Sequence, residues 1–377
     1  MKRIYLDHNA TTPIDPEVAE EMLPFIHEYF GNPSSSHWFG QQTKQAVEKA
    51  RRRVANLLGC EPSEIIFTSG GSESNNHVLK EVAYTYRDRG NHIITSQIEH
   101  PAIINPCRFL EKRGCEITYL PVDGFGMVDP EDVASAMRKT TILISIMHAN
   151  NEVGTVQEIA AISEIVKERS VLLHTDAAQS LGKIPTRVDE LGVDFLSVAG
   201  HKLYAPKGVG ALFIRDGISI EPLIHGAGHE NGRRAGTENV IELAGLGKAC
   251  EIAARDMDRN TEFVLELRER FHRSLLDRIE GVHLNGHPDK RLPNTLNLSF
   301  EDVDSHALLE QMEEIAASTG AACHADAKEL SSVLKAMGVK EELGFGAVRF
   351  SLGKNNTEEE IDYVTDLLAE KIRKIRG

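Results

Sequence analysis

The chain has 377 residues, 41% of them hydrophobic and 26% charged, a balance that argues against intrinsic disorder and collagen-like repeats. Lys and Arg number 42 against 57 Asp and Glu, so the net charge is −15 with His neutral, and so acidic a chain is a poor match for a nucleic-acid backbone. No apolar run reaches the ~18 residues needed to span a membrane, and the opening Met1-Lys2-Arg3-Ile4-Tyr5-Leu6-Asp7 turns acidic too soon for a signal peptide. A cytoplasmic protein without direct nucleic-acid or membrane contact is expected, with about two domains at roughly 100–200 residues each.

Asp15-Pro16 reads as an N-cap and first-turn proline opening a helix through Phe30. Residues 41–58 place Val47, Ala50, Val54 and Leu57 on one helical face, and Gly59 supplies a stop. Short apolar runs follow at residues 64–68, 92–95, 142–146, 171–174 and 210–214, most of them separated by helical stretches. That alternation predicts an α/β fold with a mostly parallel, helix-covered sheet, and ligands beyond the carboxyl ends of its strands. Residues 241–280 read as a long amphipathic helix, a bridge to a smaller α+β unit. That unit has strands near 296–300 and 348–352 and a closing helix over 357–375.

The five cysteines, Cys60, Cys107, Cys115, Cys250 and Cys323, are odd in number and show no CxxC spacing. They fit free thiols in a reducing compartment and speak against a disulfide scaffold or a metal site. Four lie in or beside apolar patterns and read as small buried hydrophobes. Cys323 differs. It sits in Ala316-Ala317-Ser318-Thr319-Gly320-Ala321-Ala322-Cys323-His324-Ala325, a stretch with little to bury, and reads as a thiol on a mobile loop.

Three further segments carry polar chemistry. Thr68-Ser69-Gly70-Gly71-Ser72 joins a strand to a helix and reads either as a capped turn or as an anion cup. Asp176, at the end of a strand, reads as an N-cap or a functional carboxylate. Lys202 lies in Gly200-His201-Lys202-Leu203-Tyr204-Ala205-Pro206-Lys207-Gly208, a shaped loop unusual for a surface lysine. A lysine, a carboxylate and a phosphate cup at successive strand ends are the three requirements for holding pyridoxal phosphate.

With these, further stretches carry a resemblance: Leu6-Asp7-His8-Asn9-Ala10-Thr11-Thr12, Gly31-Asn32-Pro33-Ser34-Ser35, Glu99-His100, Asn150-Asn151-Glu152-Val153-Gly154, His174-Thr175-Asp176-Ala177, Gly232-Arg233-Arg234-Ala235-Gly236-Thr237-Glu238-Asn239 and Val348-Arg349-Phe350-Ser351-Leu352-Gly353. The chain resembles the cysteine desulfurases, fold-type-I pyridoxal-phosphate enzymes of the class V aminotransferase group. The resemblance implies a large domain over residues 14–250 with a mostly parallel seven-stranded sheet. Residues 1–13 and 251–377 would form the small α+β domain carrying the mobile Cys323 loop. It implies that Lys202 carries the cofactor covalently, Asp176 pairs with the ring nitrogen and Gln179 bonds the ring phenolic oxygen. His100 would stack on the ring and move protons. Gly71, Ser72 and His201 would hold the phosphate, with Thr237 reaching it from the other subunit of a homodimer. Asn151 would contact cofactor or substrate, Arg349 would bind the substrate carboxylate, and Cys323 would be the nucleophile.

The implied reaction converts L-cysteine to L-alanine, leaves a persulfide on Cys323 and passes the sulfur to an acceptor protein, with an iron–sulfur scaffold among the candidates. Three departures qualify it. Ala199 stands where many desulfurases have a phosphate-binding Ser. The Gly320-Ala321-Ala322-Cys323-His324 stretch is similar to selenocysteine lyases, whereas residues 232–240 look like the nitrogen-fixation type of desulfurase. The chain also ends soon after its last helix, where housekeeping desulfurases have a longer tail that contacts the scaffold. A selenocysteine lyase releasing selenide and alanine, and a catalytically silent assembly platform, are the alternatives.

Overall fold

The computed structural model describes residues 3–319, 321–324 and 327–377, with residues 321–324, 327 and 328 described by backbone alone. A short strand β1 (Ile4–Tyr5) opens the chain. Seven strands then form one sheet: β2 (Ile65–Thr68), β3 (His92–Ser96), β4 (Glu116–Leu120), β5 (Thr141–Ser145), β6 (Leu172–Asp176), β7 (Phe195–Ala199) and β8 (Gly210–Ile214). Their order across the sheet is β2-β8-β7-β6-β5-β3-β4, and only β8 runs antiparallel to its neighbours.

β2, β3, β5, β7 and β8 are buried along their whole length. Helices cover both faces, which explains unbroken apolar runs in place of alternation. On one face Ile65, Phe67, Ile144, Leu196 and Phe213 join a core with the helix Trp38–Leu58. On the other Ile66, Ile93, Leu143, Phe195 and Leu212 pack on the helices Gly71–Thr85 and Pro101–Glu111.

The sequence-predicted helix ends are close to the observed ones. Asp15 Oδ1 accepts from the Glu17 N–H at 2.8 Å and caps the helix Pro16–His27, which stops three residues before Phe30. Gly59 ends the next helix with φ of 70°, a conformation that favours glycine. β4 and β7 were not among the apolar runs. β4 carries Glu116 and is mostly half-exposed at the sheet edge, and β7 is a short Phe-Leu-Ser-Val-Ala run.

The helix Val240–Arg278 is about 58 Å long at 1.5 Å per residue. Its first half packs Leu243, Leu246, Ala249 and Ile252 into the main core. Its second half packs Val264, Leu267, Phe271 and Leu275 into a second core. There it meets an antiparallel sheet of β9 (Val282–Asn285), β10 (Thr295–Phe300), β12 (Ser318–Thr319) and β15 (Ala347–Ser351), and the closing helix Glu358–Arg376. Ile4 and Leu6 join that second core, and β1 pairs in parallel with β11 (Ile315–Ala316). Between β12 and β15, β13 (Ala321–His324) pairs with β14 (Ala327–Leu330) as an antiparallel hairpin, with Cys323 opposite Lys328.

One buried ion pair ties the main sheet to a distant loop. Arg51 donates to Glu230 through Nη1 at 2.6 Å and Nη2 at 2.9 Å, and Glu230 Oε2 also accepts from the Phe67 N–H at 3.0 Å. Both residues are 7% exposed, and Glu230 holds a left-handed φ of 50°. Glu230→Gln would leave the buried Arg51 charge with only the partly exposed Glu48 carboxylate, 3.3 Å from its Nε. It is expected to lower the unfolding free energy by about 3–5 kcal/mol, measured by urea denaturation; a change under about 1 kcal/mol would contradict this account.

Candidate active site

The carboxyl ends of the parallel strands open onto one cleft of about 790 Å³. β6 ends on Asp176, and β7 leads into the turn Gly200–Lys202. β2 leads to Gly70 and Gly71, and β3 leads to His100. Arg349 reaches the cleft from β15 of the small sheet. The cleft brings together Gly71, Ser72, His100, Asn151, Asp176, Gln179, His201, Lys202 and Arg349, nine of the residues picked out from the sequence.

Gly70 (φ 142°) turns the chain from β2 into the helix Gly71–Thr85, whose free N–H groups start at the cleft. A Cβ on Gly71 would lie 3.4 Å from that of Ala199. Ala199 therefore forms an apolar wall at the place where a Ser would have added a hydroxyl. Glu73, in the first turn, would repel an anion. It is instead held by Arg234, with Nε to Oε1 at 2.8 Å and Nη2 to Oε2 at 3.2 Å, and it accepts the Ser69 N–H at 2.8 Å.

Asp176 is 7% exposed. It accepts from Asn75 Nδ2 at 2.6 Å and from the Ala178 N–H at 2.9 Å, both neutral donors. Asn75 lies on the face of its helix that the turn presents to the cleft. Asn75 was not among the residues picked out from the sequence.

Lys202 Nζ donates to the Ala10 carbonyl at 2.8 Å and to the Asn9 carbonyl. Burial first, then the Arg349 charge, pushes its pKa down to about 8. Gln179 Nε2 donates to the same Asn9 carbonyl at 2.9 Å. Asn9 is thus a hub that the sequence reading missed. Its Nδ2 also donates to Thr295 Oγ1 at 2.8 Å and to the Asn151 carbonyl at 3.2 Å, joining the small sheet to the cleft. Its place in the Leu6–Thr12 stretch was the available signal.

His100 caps the helix Pro101–Glu111. Its Nδ1 accepts the Ala102 N–H at 3.1 Å, so a neutral ring carries its proton on Nε2. Burial lowers its pKa, as does the Lys202 charge, while Asp176 raises it. His201 is pushed down to about 4 by burial and by Lys202 and Lys207.

Arg349 is held on three sides. Nη2 donates to Asp7 Oδ1 at 2.6 Å and Ser318 Oγ at 2.8 Å, and Nη1 to the Asn151 carbonyl at 3.0 Å, while the buried Nε has no partner. Asp7 therefore offsets part of the charge that a substrate carboxylate would meet, a contact the sequence did not disclose.

Two expected residues stand apart. Thr237 is exposed and does not line this cleft. The side chain of Cys323 lies outside the described residues; its backbone is in the β13–β14 hairpin, where the sequence suggested an open loop. Cys107 and Cys250 are fully buried as expected, whereas Cys60 and Cys115 are only half-buried. Burial pushes the thiols of Cys60, Cys107 and Cys250 up to about 12. Among the described residues no cluster of His, Cys, Asp or Glu could hold a metal ion, and no helix is long and apolar enough to cross a membrane.

This donor set fits pyridoxal phosphate. A buried carboxylate with only neutral donors suits a pyridinium. A helix start with a glycine turn suits a phosphate, and a lysine with a depressed pKa suits an aldehyde.

The description "aminotransferase class-V" matches residues 4–364 of the chain. The cysteine desulfurase IscS of Dictyoglomus turgidum is 53% identical over 379 residues, covering 100% of this chain and 96% of that protein. The cysteine desulfurase IscS of Methanosarcina thermophila is 48% identical, covering 100% and 93%. A solved NifS-like protein superposes with a TM-score of 0.93 at 41% identity, covering 99% of this chain and 100% of the other.

Proposed function

The chain belongs to the class V aminotransferase family and is a pyridoxal-phosphate-dependent cysteine desulfurase, and from that premise we propose how its own residues divide the work. Its substrate is L-cysteine and its product sulfur goes to an acceptor. The observation that carries the assignment of residues is the convergence of Lys202, Asp176, Gln179 and Arg349 on one cleft at the strand ends.

The cofactor, when bound, supplies an electrophilic aldehyde and a ring that takes up the electron pair left by the α-proton of the amino acid. Lys202 would hold it covalently through Nζ, and the same Nζ is the group that would accept the α-proton of the substrate. Asp176, held by Asn75, would pair with the ring nitrogen. Gly71, Ser72 and His201 would hold the phosphate, joined by Thr237 of a second copy in a homodimer. Arg349 takes the substrate carboxylate by a charge-assisted pair, and Asn151 borders the same place. His100, which lines the cleft, would border the bound group and donate from Nε2.

The Cys323 thiolate attacks the substrate sulfur. A sulfur–sulfur bond forms as the carbon–sulfur bond breaks, and the carbon keeps the electron pair and takes a proton to become the methyl group of alanine. The balance is L-cysteine plus thiol giving L-alanine plus persulfide. The division into residues 14–250 and residues 1–13 with 251–377 is supported by the two cores bridged by the helix Val240–Arg278. We propose an iron–sulfur scaffold protein as the acceptor, which the likeness to the IscS desulfurases supports, and the cytoplasm as the compartment, which the free cysteines support.

The test is alanine release from L-cysteine and from L-selenocysteine by the full chain. Turnover of L-cysteine with sulfur retained on the protein is expected. Selenide release without L-cysteine turnover would overturn the substrate assignment.

A further inference from the structure

Lys183 is an inward-facing amine that the reaction above leaves unused. Its Nζ donates to Gln179 Oε1 at 3.2 Å and to Asn9 Oδ1 at 3.3 Å, both neutral oxygens. It also borders a small cavity on the far side of Lys202, beside Leu181, Leu203 and Tyr204. Burying an amine against amides alone is costly, so the contact calls for a purpose.

The purpose follows from donor and acceptor rules. A side-chain amide can turn end for end and exchange its oxygen with its nitrogen. Hydrogens on Lys183 Nζ require the oxygen of Gln179 to face them. That sets Nε2 on the other side, where it donates to the Asn9 carbonyl at 2.9 Å. Nε2 has a second hydrogen, and Gln179 lines the cleft. Asn9 is fixed in the same way: its Oδ1 accepts from Lys183 and from Asn294 Nδ2 at 3.0 Å, leaving its Nδ2 for Thr295 and Asn151.

We propose that Lys183 is a positioning residue that locks the Gln179 amide with its N–H toward the cofactor oxygen and its carbonyl away. The proposal rests on the reading of Gln179 given above. A flipped amide would set one oxygen against another. Burial and the nearby charges of Lys202 and Arg349 push Lys183 down to about 7, and either protonation state still provides the two hydrogens these bonds need.

The test uses the full-length holoenzyme and reads the absorption maximum of the bound cofactor and its release rate, in Lys183→Met, Lys183→Arg, Gln179→Ala and the Lys183→Met/Gln179→Ala pair. Lys183→Met is expected to shift the maximum and speed release about tenfold, the effect of one misdirected hydrogen bond. Lys183→Arg, which keeps the donors, is expected to recover most of that loss. In the Gln179→Ala background the Lys183→Met change should add less than about twofold. Equal effects in both backgrounds would show a merely structural lysine and overturn the proposal, as would a spectrum and release rate unchanged in Lys183→Met while Gln179→Ala alters them. If Gln179→Ala alters neither, the reading of Gln179 itself fails. Should Lys183→Met not fold, Lys183→Gln, with one donor amide, replaces it in the same comparison.

Discussion

Lys202→Ala is expected to lower alanine formation from L-cysteine by at least about a thousandfold. Two tasks rest on one nitrogen: covalent attachment and carriage of the α-proton. Lys183 does not take its place, because Lys202 Nζ is anchored on the Ala10 and Asn9 carbonyls just after β7 while Lys183 is turned to Gln179 and Asn9 Oδ1. Borohydride reduction should leave no cofactor attached to the variant; turnover within tenfold of the parent would refute the assignment.

The same geometry predicts a pH profile. A lysine is a nucleophile only when neutral. The ordinary lysine value of 10.5 is lowered to about 8 here, by burial first and then by Arg349. Capture of pyridoxal phosphate by cofactor-free protein should therefore rise with pH through a midpoint near 8. Arg349→Gln removes a positive neighbour and should move that midpoint upward. A midpoint at the ordinary lysine value in the parent would contradict the burial account.

Cys323→Ala has the second large expected effect. Alanine formation should fall at least about a hundredfold, and mass spectrometry after incubation with L-cysteine should show no added sulfur on the chain. Cofactor absorbance should persist, since the residues assigned to hold the cofactor lie elsewhere in the sequence. Attack on sulfur requires a thiolate. Cys60, Cys107 and Cys250, held near 12 by burial, remain protonated at neutral pH and cannot substitute. Added sulfur persisting in Cys323→Ala would overturn the choice of nucleophile. Cys107→Ala should leave turnover unchanged.

Much of the site was legible because its residues sit where strands stop. Asp176 and the Gly70-Gly71 turn each follow a buried apolar run, Lys202 stood out by its shaped loop, and a parallel sheet gathers such strand ends on one edge. Arg349 was legible through its motif, although not its pairing with Asp7 and Ser318. Asn9, Asn75 and Lys183 were not picked out. Each acts through another side chain far away in sequence, and a lone Asn or Lys carries no local signal of that.

The amino-acid order alone determined the alternation of buried strands and helices, the caps at Asp15 and Gly59, and the long bridging helix. These are local consequences of side-chain periodicity and backbone freedom. Only the tertiary structure decided that β8 enters the sheet antiparallel, that Arg51 meets Glu230, and that Asn9 joins Lys202, Gln179 and the small sheet. The Arg51–Glu230, Asn9–Lys202, Asn9–Gln179 and Asn9–Thr295 contacts span 179, 193, 170 and 286 residues, and burial, not neighbourhood in the chain, selects them.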